Sequence, residues 1–226
     1  MVGTFIKGSQ FPKLFDYSDS GAIESLFNSI LKIDYSFLHY LKNGVGAKQD
    51  RIIEYVERVF AYELYKQWSD NTFVKENKLK VNAEISKQFY STPESKKVKL
   101  CYPDMILHSG QETAENLIVC EIKRFENIKL HRKAQTKDLN RLGYFLNSKL
   151  KVKDNIVEWK AYKYGVFILI GNECDLADQD KSITVLKDNI YQPKFDVPLE
   201  HQNKIICLAY NGDCQNLYYA TLDELI

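Results

Sequence analysis

Tyr164 to Ile170 reads YGVFILI, a run that is apolar almost throughout and that limits the folds open to this chain. A strand with apolar side chains on both of its faces is covered on both sides in a folded protein, usually by helices. We therefore predict that this run is a central strand of a sheet. The chain has 226 residues, 45% of them hydrophobic, which is enough to bury one substantial core.

Helical periodicity predicts the layers around this strand. Apolar residues recur every three to four positions from Gln49 to Trp68, and a second helix is expected from about Lys133 to Asn147. Ser18 to Asn43 shows the same period and predicts one amphipathic helix or two short ones. We expect an α/β fold, with a mixed and mostly four-stranded central sheet flanked by the first two helices and with an N-terminal helical extension.

The remaining strands of the core are predicted before the central one. Lys78 to Tyr90 alternates as a half-buried strand does. Val98 to Leu107 and Leu117 to Lys123 are rich in β-branched and apolar residues, and the turn-like segment between them favours a hairpin.

The tail of the chain is expected to add two strands. Lys204 to Tyr210 and Leu217 to Thr221 flank the turn Asn211-Gly212, and they follow a loop-like stretch at 175–180. We expect one domain over residues 1–226, with the helical extension at 1–46, the core at 47–172 and a C-terminal addition at 173–226.

Charged residues interrupt two of the apolar strands. Tyr102-Pro103-Asp104 lies within the first strand of the hairpin, and Glu121-Ile122-Lys123 ends the second, with Glu121 17 positions after Asp104. Successive strand residues point to opposite faces, so Glu121 and Lys123 are expected on the same side as Leu117 and Val119. Ile122 points away and leaves its backbone carbonyl available.

Asp104, Glu121 and the Ile122 carbonyl can bind a divalent ion. In a hairpin, Asp104 can lie opposite Glu121, so that two carboxylates and the Ile122 carbonyl converge as hard oxygen ligands, which suit Mg²⁺ rather than zinc. The two carboxylates repel each other unless a cation neutralises them. The reaction that fits is displacement at phosphorus, in which Lys123 orients the attacking water and holds the phosphate.

The pattern of Pro103-Asp104, a spacer, and an apolar strand ending Glu121-Ile122-Lys123 resembles the signature of the PD-(D/E)XK nuclease superfamily. The resemblance extends over about Gln49 to Gly171. It implies a restriction-endonuclease-like fold and a Mg²⁺-dependent phosphodiesterase that acts on nucleic acid, expected to be DNA, with Mn²⁺ as a possible substitute.

The same resemblance implies two further site residues. An acidic residue of the preceding helix would join the site, and we take Glu57, with Asp50 and Glu54 as alternatives. The helix after Lys123 would bring a polar face with Gln135, followed by Asp138, Arg141 and Leu142. The expected catalytic residues are therefore Asp104, Glu121, Lys123, Gln135 and Glu57, and the expected metal ligands are Asp104, Glu121 and Ile122.

Less specific interpretations stay open at several of these positions. Glutamates on a helix surface are common, and Gln135 fits a glutamine at the edge of a core as well as a phosphate contact. The whole cluster could also be a buried ion network in a non-catalytic nucleic-acid-binding or protein-interaction module of the same fold. The four histidines show no zinc-binding spacing, and the glycines form no phosphate-binding loop.

Composition says more about the compartment in which the protein works than about the molecule that it binds. The formal net charge is only +1, although twelve Lys and Arg face five Asp and Glu between Glu121 and Lys163, a stretch that could contact phosphates or be a solvated helix face. Five cysteines without paired spacing and no long apolar segment predict a cytoplasmic protein without a membrane partner. The flanks could serve a homodimer or a partner protein.

Overall fold

The structure is a computed structural model, and it describes residues 4–7, 19–34, 49–83, 103–110, 115–124, 132–147, 149–152, 155–158, 160–171, 179–188, 190, 195–212 and 216–226. Within these residues there are seven helices: α1 Ser20–Ile30, α2 Gln49–Ser69, α3 Thr72–Glu76, α4 Arg132–Leu146, α5 Gln179–Asp188, α6 Leu199–Gln202 and α7 Leu222–Leu225. None of these helices is long and apolar enough to cross a bilayer.

The nine described strands form one large sheet and one small one. They are β1 Thr4–Lys7, β2 Lys80–Ala83, β3 Met105–His108, β4 Asn116–Arg124, β5 Lys149–Val152, β6 Asn155–Glu158, β7 Tyr162–Gly171, β8 Ile205–Asn211 and β9 Asn216–Thr221. Seven of them form a mixed sheet in the order β1-β9-β8-β7-β4-β3-β2, and β5 and β6 pair separately. The protein is therefore an α/β protein, as the sequence predicts.

The centre of the large sheet is parallel and its borders are antiparallel. β4 pairs with β7 and β7 pairs with β8 in parallel, whereas β3 pairs antiparallel with β4, which confirms the expected hairpin. Parallel neighbours need a connection that crosses over one face of the sheet. α4 lies in the connection from β4 to β7, and α5 and α6 lie in the connection from β7 to β8.

Two apolar cores cover the two faces of the sheet. The first core joins α1, α2 and α3 to the side of β4 that bears Ile118, Cys120 and Ile122. The second core joins α4, α5 and α7 to the opposite face of the sheet, which bears Val119 of β4 and Phe167 of β7. β7 is thus buried on both faces, which confirms the prediction from its sequence.

Polar groups inside the first core are paired. The indole Nε1 of Trp68, which is fully buried, donates to Ser25 Oγ at 2.8 Å and so ties α2 to α1. Tyr210 on β8 donates to the carbonyl of Ile33 at 3.3 Å. A buried polar group without a partner is costly, so these contacts fix the positions of the two helices against the sheet.

A glycine determines how closely α4 approaches the sheet. A Cβ at Gly165 of β7 would lie 3.2 Å from Leu142 Cβ and 3.4 Å from Ile205 Cγ1, which is tighter than an ordinary contact. Glycine at this position therefore lets α4 pack directly on β7. The close approach brings the polar side chains of α4 to the level of β4.

Several elements differ from the sequence predictions. The two strands expected of the tail are present as β8 and β9, and together with β1 they extend the four expected central strands to a sheet of seven. β1, the β5–β6 pair and α5 were not expected, and α5 begins within the stretch at 175–180 that the sequence indicates as a loop. Residues 35–43, 84–90 and 98–102 of the predicted helix and strands lie outside the described residues. The expected boundaries at 46 and 172 stay predictions.

Candidate functional site

Asp104 lies beside the carboxyl end of β4, where the sequence predicts the site. It directly precedes β3 rather than lying within a strand, and Met105 of β3 pairs with Cys120, so Asp104 is next to Glu121 across the hairpin. Its backbone N–H donates to the Cys120 carbonyl at 3.1 Å. The backbone N–H of Ile122 donates to Asp104 Oδ2 at 2.6 Å, which fixes the carboxylate against β4.

Glu121 is enclosed between β4 and α4. Its side chain is only 1% exposed, and Arg141 Nη1 donates to Glu121 Oε1 at 2.9 Å. The same guanidinium reaches Asp138 Oδ1 through Nη2 at 3.1 Å. Arg141 therefore bridges a strand carboxylate and a helix carboxylate, and such charge-assisted bonds are among the stronger ones in proteins.

Lys123 links the helices on the two faces of the sheet. Its Nζ lies 3.7 Å from Glu57 Oε2 and 3.8 Å from Asp138 Oδ2. Glu57 belongs to α2, and its other oxygen accepts from the backbone N–H of Arg124 at 2.9 Å. Glu57 thus reaches around the end of β4, and the structure brings it together with Lys123 as expected.

Alternation along β4 is confirmed at its carboxyl end and fails at its start. Ile122 belongs to the first core, whereas Glu121 and Lys123 contact α4 on the side of Val119. The expectation for Leu117 is wrong, because it packs in the first core. The pairing of β3 with β4 shifts register between Leu107 and His108, and such an irregularity changes the side to which a residue points.

Gln135 lies on the same helix face, one turn before Asp138. Asp138 contacts Lys123 and Arg141 contacts Glu121, so α4 runs antiparallel to β4, and Gln135 lies about 4.5 Å further toward the carboxyl end of the strand. Gln135 is 2% exposed, and no described residue forms a hydrogen bond with its Oε1. A buried amide oxygen without a partner is unusual and marks a position where a donor could bind.

The cluster contains four acids and two cations among the described residues. Burial and, to a smaller extent, the neighbouring Asp104 raise the pKa of Glu121 to about 8, although Arg141 opposes the shift. Burial also raises the pKa of Asp104, of Glu57 and of Asp138. With all groups ionised the cluster has two more negative than positive charges, so it is an environment that favours an added cation.

Lys123 stays charged in this environment. Burial alone would lower its pKa, but Glu57, Asp104, Asp138 and Glu121 together outweigh burial, and the pKa is raised. A protonated amine donates hydrogen bonds and cannot accept a proton. Lys123 is therefore suited to hold an anion or to orient a water molecule, and not to act as a general base.

The raised pKa of Glu121 predicts a pH-dependent stability of the metal-free protein. The folded state holds the proton more tightly than the unfolded state, whose pKa is near 4.5, so the stabilisation is complete below pH 4.5 and is lost as the pH rises to about 8. Each unit of pKa difference corresponds to about 1.4 kcal/mol, so a loss of a few kcal/mol is expected. Urea unfolding in EDTA should show a flatter pH dependence for Glu121→Gln, and parallel curves for the two proteins would contradict the assignment.

The oxygen donors fit a divalent metal only in part. No group of three or more His, Cys, Asp and Glu side chains is arranged to hold a metal ion among the described residues. Asp104 and Glu121 are nevertheless adjacent carboxylates, and a site of two carboxylates and a backbone carbonyl needs no third acidic side chain. The chemistry of these donors and the excess negative charge suit Mg²⁺ or Mn²⁺ better than a thiolate-binding metal.

The structure thus unites Asp104, Glu121, Lys123 and Glu57, and it puts Gln135 on the adjoining helix face. The side chains of Asp50 and Glu54, the alternatives to Glu57, lie outside the described residues. Asp138 and Arg141 have contacts that the sequence did not assign to them. Their spacing from Gln135, three and six positions along α4, is the signal that could have indicated a shared face.

Two of the five cysteines are also described. Cys120 and Cys207 lie in β4 and β8, both are buried, and neither forms a disulfide. Burial raises the pKa of the Cys207 thiol to about 12, so this group is neutral and packs as a small apolar side chain.

No protein-family model, no curated protein and no solved structure matches the chain. The contacts and charges at the end of β4 are therefore what supports a functional assignment.

Proposed function

We propose that this protein is a metal-dependent nuclease with a restriction-endonuclease-like fold, and that Asp104, Glu121 and Lys123 form its catalytic centre. One observation carries the proposal: two adjacent carboxylates and a charged lysine meet at the carboxyl end of one buried strand. Buried charges are costly, and a cluster with excess negative charge is retained more readily where it serves chemistry.

The residues divide the work by their chemistry. Asp104 and Glu121, with the Ile122 carbonyl, would hold Mg²⁺ or Mn²⁺. The bound ion would supply a water of lowered pKa and would stabilise charge on the phosphate oxygens. Lys123 is held between Glu57 and Asp138, and its ammonium would orient the attacking water and bind the phosphate.

Glu57 and Gln135 support this centre from two different helices. Glu57 accepts from the Arg124 backbone and faces Lys123, so it fixes the end of β4 and the position of the ammonium group. No described residue donates to the Gln135 amide oxygen, so this oxygen would accept from a water molecule at the site. Both residues would act by positioning and not by bond making.

The substrate that we propose is DNA. A phosphodiester is an anion, and the stretch from Glu121 to Lys163 is locally basic although the whole chain is nearly neutral. We further propose that the protein acts in the cytoplasm, and that the segments outside residues 47–172 contribute to a homodimer or to contacts with a partner protein.

A non-catalytic module is the second candidate function. The observation that favours it is the bond from Arg141 to Glu121, because one oxygen of a proposed metal ligand is already paired with a cation. In that case the cluster would be an ion network that fixes α4 on the sheet, and the protein would bind nucleic acid or another protein without cleaving it.

The test is incubation of the purified protein with plasmid DNA and with single-stranded DNA in Mg²⁺, Mn²⁺ or EDTA. We expect cleavage in either metal, none in EDTA and none with Glu121→Ala. Because Glu121→Ala leaves Arg141 without one of its partners, Glu121→Gln with an unchanged unfolding temperature serves as the second inactive variant. Cleavage that persists in EDTA or in Glu121→Gln would refute the proposed centre, and binding without cleavage would support the module.

A further inference from the structure

Arg141 contacts a carboxylate that the proposed metal ion would also bind. Its guanidinium donates to Glu121 Oε1 at 2.9 Å and to Asp138 Oδ1 at 3.1 Å, and Glu121 is 1% exposed. An arginine guanidinium does not lose its proton in proteins, so its positive charge persists in the site. It is thus a fixed cation bonded to a carboxylate that the proposed function assigns to the metal.

We propose that Arg141 is the resident counter-cation of Glu121 and that a divalent ion displaces it, so that Arg141 sets the affinity of the site for metal. This inference rests on the proposed function. Two cations cannot share one buried carboxylate at short distance without strong repulsion. A divalent ion bound at Glu121 therefore repels the guanidinium and favours its departure from Glu121 Oε1.

Asp138 gives the displaced guanidinium a second partner. It lies on the same helix three residues before Arg141, and it contacts both Arg141 and Lys123. Arg141 is 22% exposed at its side chain, so one edge of it already faces solvent. The guanidinium can rotate away from Glu121 while it keeps Asp138, so displacement costs one charge-assisted bond and not two.

Displacement has a further effect on the site. Without the metal, the bond from Arg141 keeps the buried Glu121 carboxylate oriented and partly neutralised, and an unpaired buried charge would destabilise the fold. The contact from Arg141 to Glu121 thus stabilises the metal-free protein and lowers its affinity for a divalent ion. It is a positioning residue whose removal should separate stability from metal affinity.

Calorimetric titration with Ca²⁺ and with Mn²⁺, without nucleic acid, tests this inference. We compare wild type, Arg141→Gln and Arg141→Lys in the same buffer at the same pH. Arg141→Gln is expected to bind both ions about tenfold more tightly. Arg141→Lys, which keeps the charge but not the fork that spans two carboxylates, should fall between the two.

Thermal unfolding supplies an independent measurement. In EDTA, Arg141→Gln should unfold at a lower temperature than wild type, and added Ca²⁺ should raise its unfolding temperature by more than it raises that of the wild type. Lys163→Gln is the matched control, because Lys163 pairs with Asp19 at 3.0 Å near the start of β7, away from the site. The control should leave metal affinity unchanged.

The outcomes separate the two proposals. Equal or weaker metal binding by Arg141→Gln, with binding by the wild type, would overturn the role of Arg141 and leave the proposed nuclease intact. No binding of either ion by any of the proteins would overturn the nuclease proposal and this inference together. If Arg141→Gln does not fold, Arg141→Lys decides, and an unchanged affinity in that variant would count against displacement.

Discussion

Replacing Lys123 by alanine is expected to lower the rate of DNA cleavage by about a hundredfold to a thousandfold while leaving divalent-metal binding nearly unchanged. The ammonium group is a donor and not a metal ligand, so its loss removes stabilisation of the phosphate and of the attacking water. The measurement is cleavage under single-turnover conditions together with calorimetric titration of the metal.

The variant also removes a cation from an acidic cluster. Glu57 and Asp138 lose their shared partner, so the pKa of each carboxylate should rise further and the metal-free protein should be less stable. Lys123→Gln retains a hydrogen-bond donor but has no charge. A folded Lys123→Gln that does not cleave would show that the loss of cleavage is not a loss of folding. Unfolding temperatures of both variants must lie well above the assay temperature.

Lys163→Ala is a matched control for this experiment. Lys163 also pairs with two acids, Asp19 at 3.0 Å and Glu115 at 3.4 Å. Lys123 pairs with Leu169 of β7, six residues further along that strand than Lys163, which corresponds to about 20 Å. Lys163 is the last residue of the basic stretch, but two acids neutralise its ammonium group, so the control should cleave like wild type. Equal losses in the two variants would mean that Lys123 has only a structural role.

Replacing Asp104 by asparagine is expected to abolish cleavage and to weaken Mg²⁺ and Mn²⁺ binding by about a hundredfold. Asparagine keeps an oxygen that can accept from the Ile122 backbone, so the contact that holds Asp104 against β4 survives. Only the charge is removed. Asp104→Ala should have the same effect on metal binding and an added cost from the lost hydrogen bond.

Stability should change in the opposite direction from metal binding. Asp104 raises the pKa of the buried Glu121, so removing its charge relieves repulsion within the metal-free cluster. Asp104→Asn is therefore expected to unfold at a higher temperature than wild type in EDTA, the exchange of stability for activity that is common at functional sites. Asp19→Asn, which removes a carboxylate paired with Lys163, should do neither. A destabilised Asp104→Asn with normal metal affinity would favour the ion network of a non-catalytic module.

The sequence predicts the centre of this fold well because its signals there are local. β4 and β7 have apolar residues on both faces, and α2 has the period of an amphipathic helix, so each could be recognised without knowing its neighbours. The adjacency of Asp104 and Glu121 follows from a hairpin and from alternation. Both are short-range rules.

The elements that were missed depend on distant partners. β1 has four residues, too few for a period, and it exists as a strand because β9 from the other end of the chain pairs with it. β5 and β6 are equally short, and each has two apolar and two polar residues, too few to define a pattern. Propensity is a weak guide where tertiary pairing decides the structure.

The roles of Asp138 and Arg141 could not be predicted from the sequence for a different reason. A basic helix bears many charges, and only packing decides which of them turn toward the sheet. Gly165 permits the close approach of α4, and Leu142 lies against it, which fixes the rotation of the helix and turns Arg141 toward Glu121. For Glu57 the sequence offered three acids, and only the coordinates show that Glu57 contacts Lys123.

The pairing of β1 with β9 covers an edge of β9 that would otherwise be exposed. β9 is hydrogen-bonded on both sides, to β8 and to β1. A chain shortened to begin after residue 8 would leave Asn216 to Tyr219 of β9 without strand partners on one side, and an exposed strand edge can pair with another molecule. Self-association of a trimmed protein would thus reflect a lost border strand and would say nothing about a natural dimer.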